Sequence, residues 1–166
     1  GNTTPVSGSC RYFPVISSAE VEEASRLFYM PVADYAREHP QHQLTFSKGE
    51  TGDFAIQVAG DSMLPWYPDG TVLLLRPNVR LSNWDPVVAL LSSGEVVFRI
   101  FFAGPGTITL ASLDGDEGHT YQFDIKDNTY IKTVYKVIQS MGDEAAIIKA
   151  MRERGLLHAL EKFERL

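Results

Sequence analysis

The chain has 166 residues, of which 44% are hydrophobic and 22% are charged, with 13 glycines and 9 prolines. This size and composition fit one globular domain, alone or with an appendage, and they exclude disordered, collagen-like and disulfide-stapled chains. Fifteen basic and 21 acidic residues give a net charge of −6 without a Lys/Arg block, so we expect this segment itself to make no contact with nucleic acid. Its apolar runs are also shorter than the roughly 20 residues that a membrane span needs, so we expect no membrane contact.

The single cysteine, Cys10, cannot form a disulfide within the chain, and we expect a reducing, cytoplasmic compartment. One cysteine and four scattered histidines give no zinc-ligand spacing. The sequence also lacks a phosphate-binding loop and a dinucleotide fingerprint, and it therefore predicts no metal and no cofactor. Because the chain begins with Gly1 rather than Met, we expect the natural protein to have a further N-terminal portion.

The first predicted elements are short. Residues 1–10 are small and polar and predict a linker or arm. An apolar run follows at 11–17, and Pro14 within it predicts an edge strand or an extended docked segment, because proline donates no hydrogen bond to a sheet. A short helix is predicted over 31–38, where proline suits the first turn and Pro40 ends the helix.

From residue 53 onward the sequence predicts a β-domain. Short runs of β-branched and apolar residues alternate with turn formers such as Pro-Asp-Gly and Gly-Pro-Gly. These runs are 54–59, 71–75, 86–91, 95–102, 107–111, 120–125 and 130–138. Strands at hairpin spacing predict a mainly β fold, an antiparallel barrel or sandwich.

The period changes to that of a helix after residue 139. The tail 140–166 carries apolar residues at helical spacing with balanced charges between them. Asp143 suits a helix cap, and Gly155 divides or kinks the stretch. We predict an amphipathic helical extension that packs either on its own domain or on a second copy.

One local motif carries candidate chemistry. Residues 59–65 read Ala-Gly-Asp-Ser-Met-Leu-Pro and lie between two predicted strands. Gly60 allows the backbone to turn at the end of the first strand, and Ser62 is presented at that turn. The spacing alone favours a surface turn with a capping serine.

The wider pattern resembles the C-terminal domains of LexA and lambda-type phage repressors and the related UmuD proteins. The serine motif is followed by Tyr-Pro-Asp-Gly at 67–70, and the upstream FPVIS at 13–17 is similar to the segment that leads into the self-cleavage site of those proteins. The resemblance covers about 11–139. It implies a LexA/signal-peptidase-like β barrel-sandwich with Ser62 as nucleophile and a deprotonated lysine as general base.

The position that the resemblance assigns to this lysine holds Arg99. A guanidinium has no lone pair to accept a proton, so Arg99 can donate a hydrogen bond to Ser62 but cannot activate it. The next lysine along the chain is Lys126, in a different strand and turn region. We therefore predict a remnant, inactive Ser62–Arg99 dyad; a strand arginine that faces solvent is the other interpretation of Arg99.

The cleavage site is altered as well. In the family the cleaved pair is Ala-Gly or Cys-Gly, whereas the aligned pair here is Val21-Glu22. A β-branched residue followed by a carboxylate fits poorly in a cleft for two small residues. Trp66 and Tyr67, beside the serine motif, suit either the walls of a peptide cleft or the core.

The remaining clusters favour structural roles. His39 and His42 flank Pro40 in a polar stretch without a third ligand, which favours a solvated pair over a metal site. Asp114, Asp116 and Glu117 crowd one turn without the ligand spacing of a calcium loop, so a solvated turn is the better interpretation.

The predicted function is the regulatory and dimerisation domain of a DNA-binding repressor without self-cleavage. The expected partners are a second copy or a higher oligomer, operator DNA through a helix-turn-helix module that precedes residue 1, and an inducer or antirepressor protein. By the resemblance, residues 130–138 are the candidate self-pairing edge. An active self-cleaving Ser-Lys peptidase and a partner-binding module without a repressor role stay open as alternatives.

Overall fold

The computed structural model describes residues 11–27, 32–60, 63 and 66–141. Within these ranges lie nine strands, two α-helices and two single-turn 3₁₀ helices. The strands are β1 Arg11–Ser17, β2 His42–Phe46, β3 Phe54–Gln57, β4 Val72–Arg76, β5 Pro86–Leu91, β6 Val96–Gly104, β7 Thr107–Ala111, β8 Tyr121–Asp124 and β9 Ile131–Met141. The helices are α1 Ser18–Leu27 and α2 Val32–Glu38, and the 3₁₀ turns are Glu117–His119 and Asn128–Tyr130.

The described strands form a single sheet in the order β2-β1-β3-β4-β9-β5-β6-β7-β8. Every neighbouring pair is antiparallel except β1 and β3, which run parallel because the two helices and β2 separate them in sequence. The predicted mainly β fold is confirmed, and each predicted run from residue 54 onward contains a strand. Within the described ranges, no helix is long and apolar enough to cross a membrane.

Alternating side chains give this sheet two apolar faces. On one face, residues of β3, β4, β5, β6 and β9 form the main core, with Phe54, Leu73 and Tyr135 among them. On the opposite face, the first strands build one cluster around Val15 and Leu74, and β5 to β8 build another. Strands with both faces apolar read as continuous hydrophobic runs, which is why β4 and β5 stand out in the sequence.

Both helices cover the main core. Ser17 accepts a hydrogen bond from the backbone N–H of Glu20 at 3.1 Å, which caps the first turn of α1. Val21 of α1 and Val32 and Ala36 of α2 then enter the core. Each helix therefore buries an apolar stripe against the sheet, and α1 is fixed directly after β1.

The prediction that the Pro14 segment forms an edge strand or an extended docked segment was wrong. β1 is an internal strand between β2 and β3, and β2 was not predicted at all. Pro14 is tolerated because β1 pairs with β3 only from Val15 onward, so the missing N–H lies where no β3 partner is available. His42, which the sequence places in a polar stretch beside Pro40, is the first residue of β2 and is exposed.

β9 joins the two halves of the sheet. Its first half pairs with β5 and its second half with β4, and both ladders meet at Lys136. Within the candidate self-pairing edge at 130–138, residues 131–135 pair with β5 and residues 137 and beyond pair with β4, so each half is paired along one edge. The strand continues to Met141, two residues beyond the expected domain end. The linker at 1–10 and the tail from residue 142 lie outside the described residues.

Candidate functional site

The serine motif begins at a glycine whose backbone requires it. Gly60 has φ +101°, a left-handed conformation that favours glycine, so the sequence-based explanation of this residue is confirmed. Its N–H donates to Asp69 Oδ1 at 2.9 Å. The Asp-Gly pair that follows the motif therefore fixes the start of the motif, and Gly70 closes the turn with a second left-handed φ of +89°. Ser62 itself lies outside the described residues.

A cavity of about 180 Å³ adjoins this motif. It is bounded by the end of β3, by Gly60 and Met63 on either side of the Asp-Ser pair, and by the first half of β6 with Arg99. Its lining residues are Ser18, Ile56, Val58, Ala59, Gly60, Met63, Tyr67, Glu95, Val96, Val97, Phe98, Arg99 and Tyr121. The described part of this lining contains no lysine, and Lys126 is exposed in the turn after β8.

Arg99 is buried, with 7% of its surface exposed, so the interpretation as a solvent-facing strand arginine is wrong. Its Nε donates to the carbonyl oxygen of His119 at 2.7 Å, and one terminal nitrogen donates to the carbonyl oxygen of Phe98 at 2.8 Å. The guanidinium carbon lies 5.4 Å from the ring centre of Tyr121, within the range of a cation–π contact. The side chain is thus held firmly at the cavity wall.

Arg99 stays cationic, although burial lowers its pKa below the ordinary value of an arginine. Burial lowers the pKa of the guanidinium, whereas Tyr121, Asp114 and Glu95 act in the opposite direction. Burial also raises the pKa of Tyr121, as does the hydrogen bond that its hydroxyl donates to Glu95 at 3.1 Å. Since the ordinary pKa of an arginine lies far above neutrality, Arg99 remains charged at every physiological pH. Arg99 can donate hydrogen bonds here, but it cannot accept a proton.

The cavity lies where the first half of β6 has an open edge. Glu95 accepts from Leu91 of β5, and Phe101 exchanges hydrogen bonds with the chain before β5. The N–H and carbonyl groups of the odd-numbered residues in this stretch therefore point towards β5. Those of Val96 and Phe98 point away from β5. The ladder with β7 begins only at Ile100, so within the described residues no strand pairs with this stretch.

The segment that resembles a cleavage site is helical and docks against this edge. Val21 is 2% exposed and belongs to the main core. The next residue, Glu22, accepts a hydrogen bond from the backbone N–H of Val96 at 3.1 Å. The Val21-Glu22 pair thus lies in α1, with one side chain in the core and the other on β6.

Comparison with known proteins assigns the family. The family model described as Peptidase S24-like matches residues 20–138. The chain belongs to the Peptidase S24-like family. The match agrees with the resemblance to LexA and UmuD proteins over nearly the same stretch, and it includes the serine motif, β6 and the Val21-Glu22 pair. No curated protein matches the chain.

Of the other candidate residues of this S24-like domain, Tyr67 lines the cavity, and Trp66 and His39 are not among its lining residues. Tyr67 packs edge-to-face on Phe98 with ring centres 4.7 Å apart, so it serves both the core and the cavity wall. Trp66 is 37% exposed, whereas His39 is exposed and lies against Tyr35. Among the described residues, no group of three or more His, Cys, Asp or Glu side chains could hold a metal ion.

Sequence reasoning missed the residues that hold Arg99. The turn at 114–117 is more than a solvated loop, because His119 at its end accepts from Arg99 through its carbonyl and pairs with Asp114 through its ring at 2.6 Å. Tyr121 was also missed, although it alternates with Phe123 on β8 in the manner of a face-forming pair. Arg99 is bound by the backbone carbonyl of His119, and every residue type has such a carbonyl. The sequence therefore cannot indicate this contact, and only the folded structure shows it.

Proposed function

We propose that this S24-like domain is the regulatory and dimerisation half of a DNA-binding repressor of the LexA and phage type, and that it does not cleave itself. The observation that carries the proposal is the buried Arg99 on the cavity beside the serine motif. Gly60 and Met63, which flank the Asp-Ser pair in sequence, line the same cavity as Arg99, and this supports a position of Arg99 near Ser62.

The chemistry of the cavity supports the absence of cleavage. A positioned general base contributes about 10²- to 10⁴-fold to the rate of a proton-transfer step, and a permanently protonated guanidinium supplies none of it. The described part of the lining offers no lysine to replace it. Arg99 can orient the Ser62 hydroxyl or stabilise negative charge, but the serine stays protonated and is a weak nucleophile.

The conformation of α1 supports the same conclusion from the substrate side. Within an α-helix each peptide carbonyl accepts a hydrogen bond from the fourth N–H after it. The carbonyl of a helical peptide bond is therefore already hydrogen-bonded along the helix and is not presented to an attacking hydroxyl. Val21 is also held in the main core. Cleavage of the Val21-Glu22 bond would require α1 to unwind and Val21 to leave the core.

The remaining task of such a domain is association. Two DNA-binding modules that are joined through a dimer of this domain bind two half-sites with a raised effective concentration and without new base contacts. The net charge of −6 fits a domain that leaves DNA contact to another module. We propose that operator DNA is bound by a module before residue 1 in the cytoplasm, and that an inducer or antirepressor protein acts on this domain.

The proposal is tested by incubating the chain at alkaline pH and following its mass. We expect the unsubstituted chain to stay intact. A triple variant, Val21→Ala with Glu22→Gly and Arg99→Lys, restores a small pair and a possible base, and we expect it to yield fragments cut between residues 21 and 22. The same triple variant with Ser62→Ala is the matched control and should stay intact.

Ser62-dependent cutting of the unsubstituted chain would overturn the proposal in favour of the self-cleaving peptidase. A natural protein without a DNA-binding module before this segment would instead favour a partner-binding domain without a repressor role. The triple variant therefore tests the chemistry of the cavity, and the natural N-terminal sequence tests the biological role.

A further inference from the structure

We propose that Glu22 of the docked helix α1 is an autoinhibitory latch, which occupies a backbone N–H on the open edge of β6 and so blocks the addition of an extended peptide strand there. The proposal deepens the one above and rests on it, because it concerns how the same cleft is kept closed. Its central observation is the 3.1 Å hydrogen bond from the Val96 backbone N–H to Glu22 Oε1.

The open edge of β6 has the hydrogen-bonding pattern of a strand acceptor. The N–H and carbonyl groups of Val96 and Phe98 point away from β5, and β7 does not reach them. A strand edge with alternating free donors and acceptors pairs readily with an extended chain. Val96, Val97 and Phe98 all line the cavity; Phe98 belongs to the main core cluster, Val96 packs against that cluster, and Val97 belongs to the cluster on the opposite face.

Two charged side chains take the place of a pairing strand along this edge. The Glu22 carboxylate accepts from the Val96 N–H, and the Arg99 guanidinium donates to the Phe98 carbonyl. An extended peptide laid along the edge would need the same two backbone groups. Strand addition and the hydrogen bond from the Val96 N–H to Glu22 therefore exclude one another.

The anchoring of α1 shows how this latch is built. Ser17 caps the first turn, and the Gln41 side chain donates a hydrogen bond to the Glu20 carboxylate. Val21 packs in the core, and Ser18 lines the cavity at the start of the helix. These contacts position the helix, but they occupy no hydrogen-bonding group of β6. Loss of Glu22 alone should open the edge while α1 stays helical.

Amide hydrogen exchange on the full chain tests the latch directly. In Glu22→Ala we expect the Val96 amide to exchange about tenfold faster or more, as for the loss of a hydrogen bond to a charged acceptor. Glu22→Gln keeps an acceptor oxygen and should remain close to the unsubstituted chain. Glu23→Ala, at the exposed neighbouring position, is the matched control and should leave Val96 protected.

Slow exchange of Val96 in Glu22→Ala, with the β4–β9 ladder amides unchanged, would overturn the latch. If that ladder also loses its protection, the variant has lost its fold, and Glu22→Gln with Glu22→Lys then decides the matter. The lysine variant lacks an acceptor, so it must expose Val96 while the glutamine variant protects it. Equal exchange in these two variants would contradict the proposal.

Peptide binding tests the blocking function. The probe is a fluorescein-labelled peptide that copies residues 15–21, measured by fluorescence anisotropy. We expect Glu22→Ala to bind it about tenfold more tightly than the unsubstituted chain and Glu23→Ala, because the affinity scales with the open fraction. Equal affinity, or binding by none of the three, would overturn the proposal. Self-cleavage plays no part in these readouts, so the latch and the proposed function can fail separately.

Discussion

At the cavity wall, the Arg99 side chain is held by the backbone carbonyl of His119. The guanidinium donates to the His119 carbonyl at 2.7 Å, and the His119 ring in turn lies 2.6 Å from Asp114 and 3.6 Å from Asp116. The loop between β7 and β8 is thereby tied to the wall of the cavity. A change of charge in this loop is expected to reach Arg99 through the His119 backbone.

Asp114 makes this link sensitive to pH. Burial alone would raise its pKa, but hydrogen bonds from the Asp116 N–H, His119 and Ser112 outweigh burial and hold the pKa below its usual range. A depressed carboxyl pKa stabilises the fold above the unfolded value, about 3.9, and this stability is lost as the pH falls through the lower folded value.

We therefore expect Asp114→Asn to lower the free energy of unfolding at neutral pH by about 1.5 kcal/mol, the lower end of the range for one hydrogen bond to a charged group. Urea denaturation at a series of pH values is the measurement. The difference from the unsubstituted chain should persist down to about pH 4 and then shrink as Asp114 itself becomes protonated. A difference that stays constant down to acid unfolding would contradict this account.

At the scale of elements, a buried ion pair joins the start of β3 to the end of β4. Asp53 is 3% exposed, and its two carboxylate oxygens accept from Nε and a terminal nitrogen of Arg76 at 2.9 and 2.8 Å. Asp53 also accepts from the Glu50 N–H, and Arg76 donates to the Lys48 carbonyl. The pair therefore fixes the turn after β2 as well as the two strands.

We expect Asp53→Ala to lower the free energy of unfolding by about 3 kcal/mol, because it leaves a partly buried guanidinium without its main partner. Chemical denaturation measures the loss. Glu117→Ala, at an exposed position in a 3₁₀ turn, is the control and should change the stability by less than about 0.5 kcal/mol. A similar effect of both substitutions would show that the ion pair contributes little.

At the scale of the whole molecule, the sheet ends in β2 on one side and in β8 on the other. Near β8, Ile125 is 45% and Tyr130 is 55% exposed, and the Tyr130 ring stacks on Phe123 at 5.8 Å. Exposed aromatic residues beside a terminal strand are typical of interfaces. Tyr130 is also the first residue of the candidate self-pairing segment 130–138, so this exposed surface and the start of that segment lie together.

We expect the full chain to sediment at twice the mass of one chain, as the proposed dimerisation function requires. Tyr130→Lys places a charge on the exposed aromatic surface and should shift the equilibrium towards the monomer. Tyr12→Lys is the control, because Tyr12 is 70% exposed but lies on β1 near the other end of the sheet. A monomer at every concentration of the unsubstituted chain would contradict the dimerisation function.

The sequence by itself determined the mainly β architecture, because strands buried on both faces need continuous apolar runs between turn formers. It also determined the turn at Gly60, since a left-handed residue at a strand end favours glycine. A signal for α1 was present as well: Ser17 and Glu20 have the spacing of a capping box, in which a serine satisfies an N–H of the first helical turn.

Only the tertiary structure decided what depends on distant partners. It placed β1 inside the sheet, because a parallel partner and a late start of pairing accommodate Pro14. It buried Arg99 against a backbone carbonyl and set Glu22 on the Val96 N–H, 74 positions along the chain. Such contacts join side chains to backbone groups, which every residue carries, so no residue pattern distinguishes them before the chain has folded.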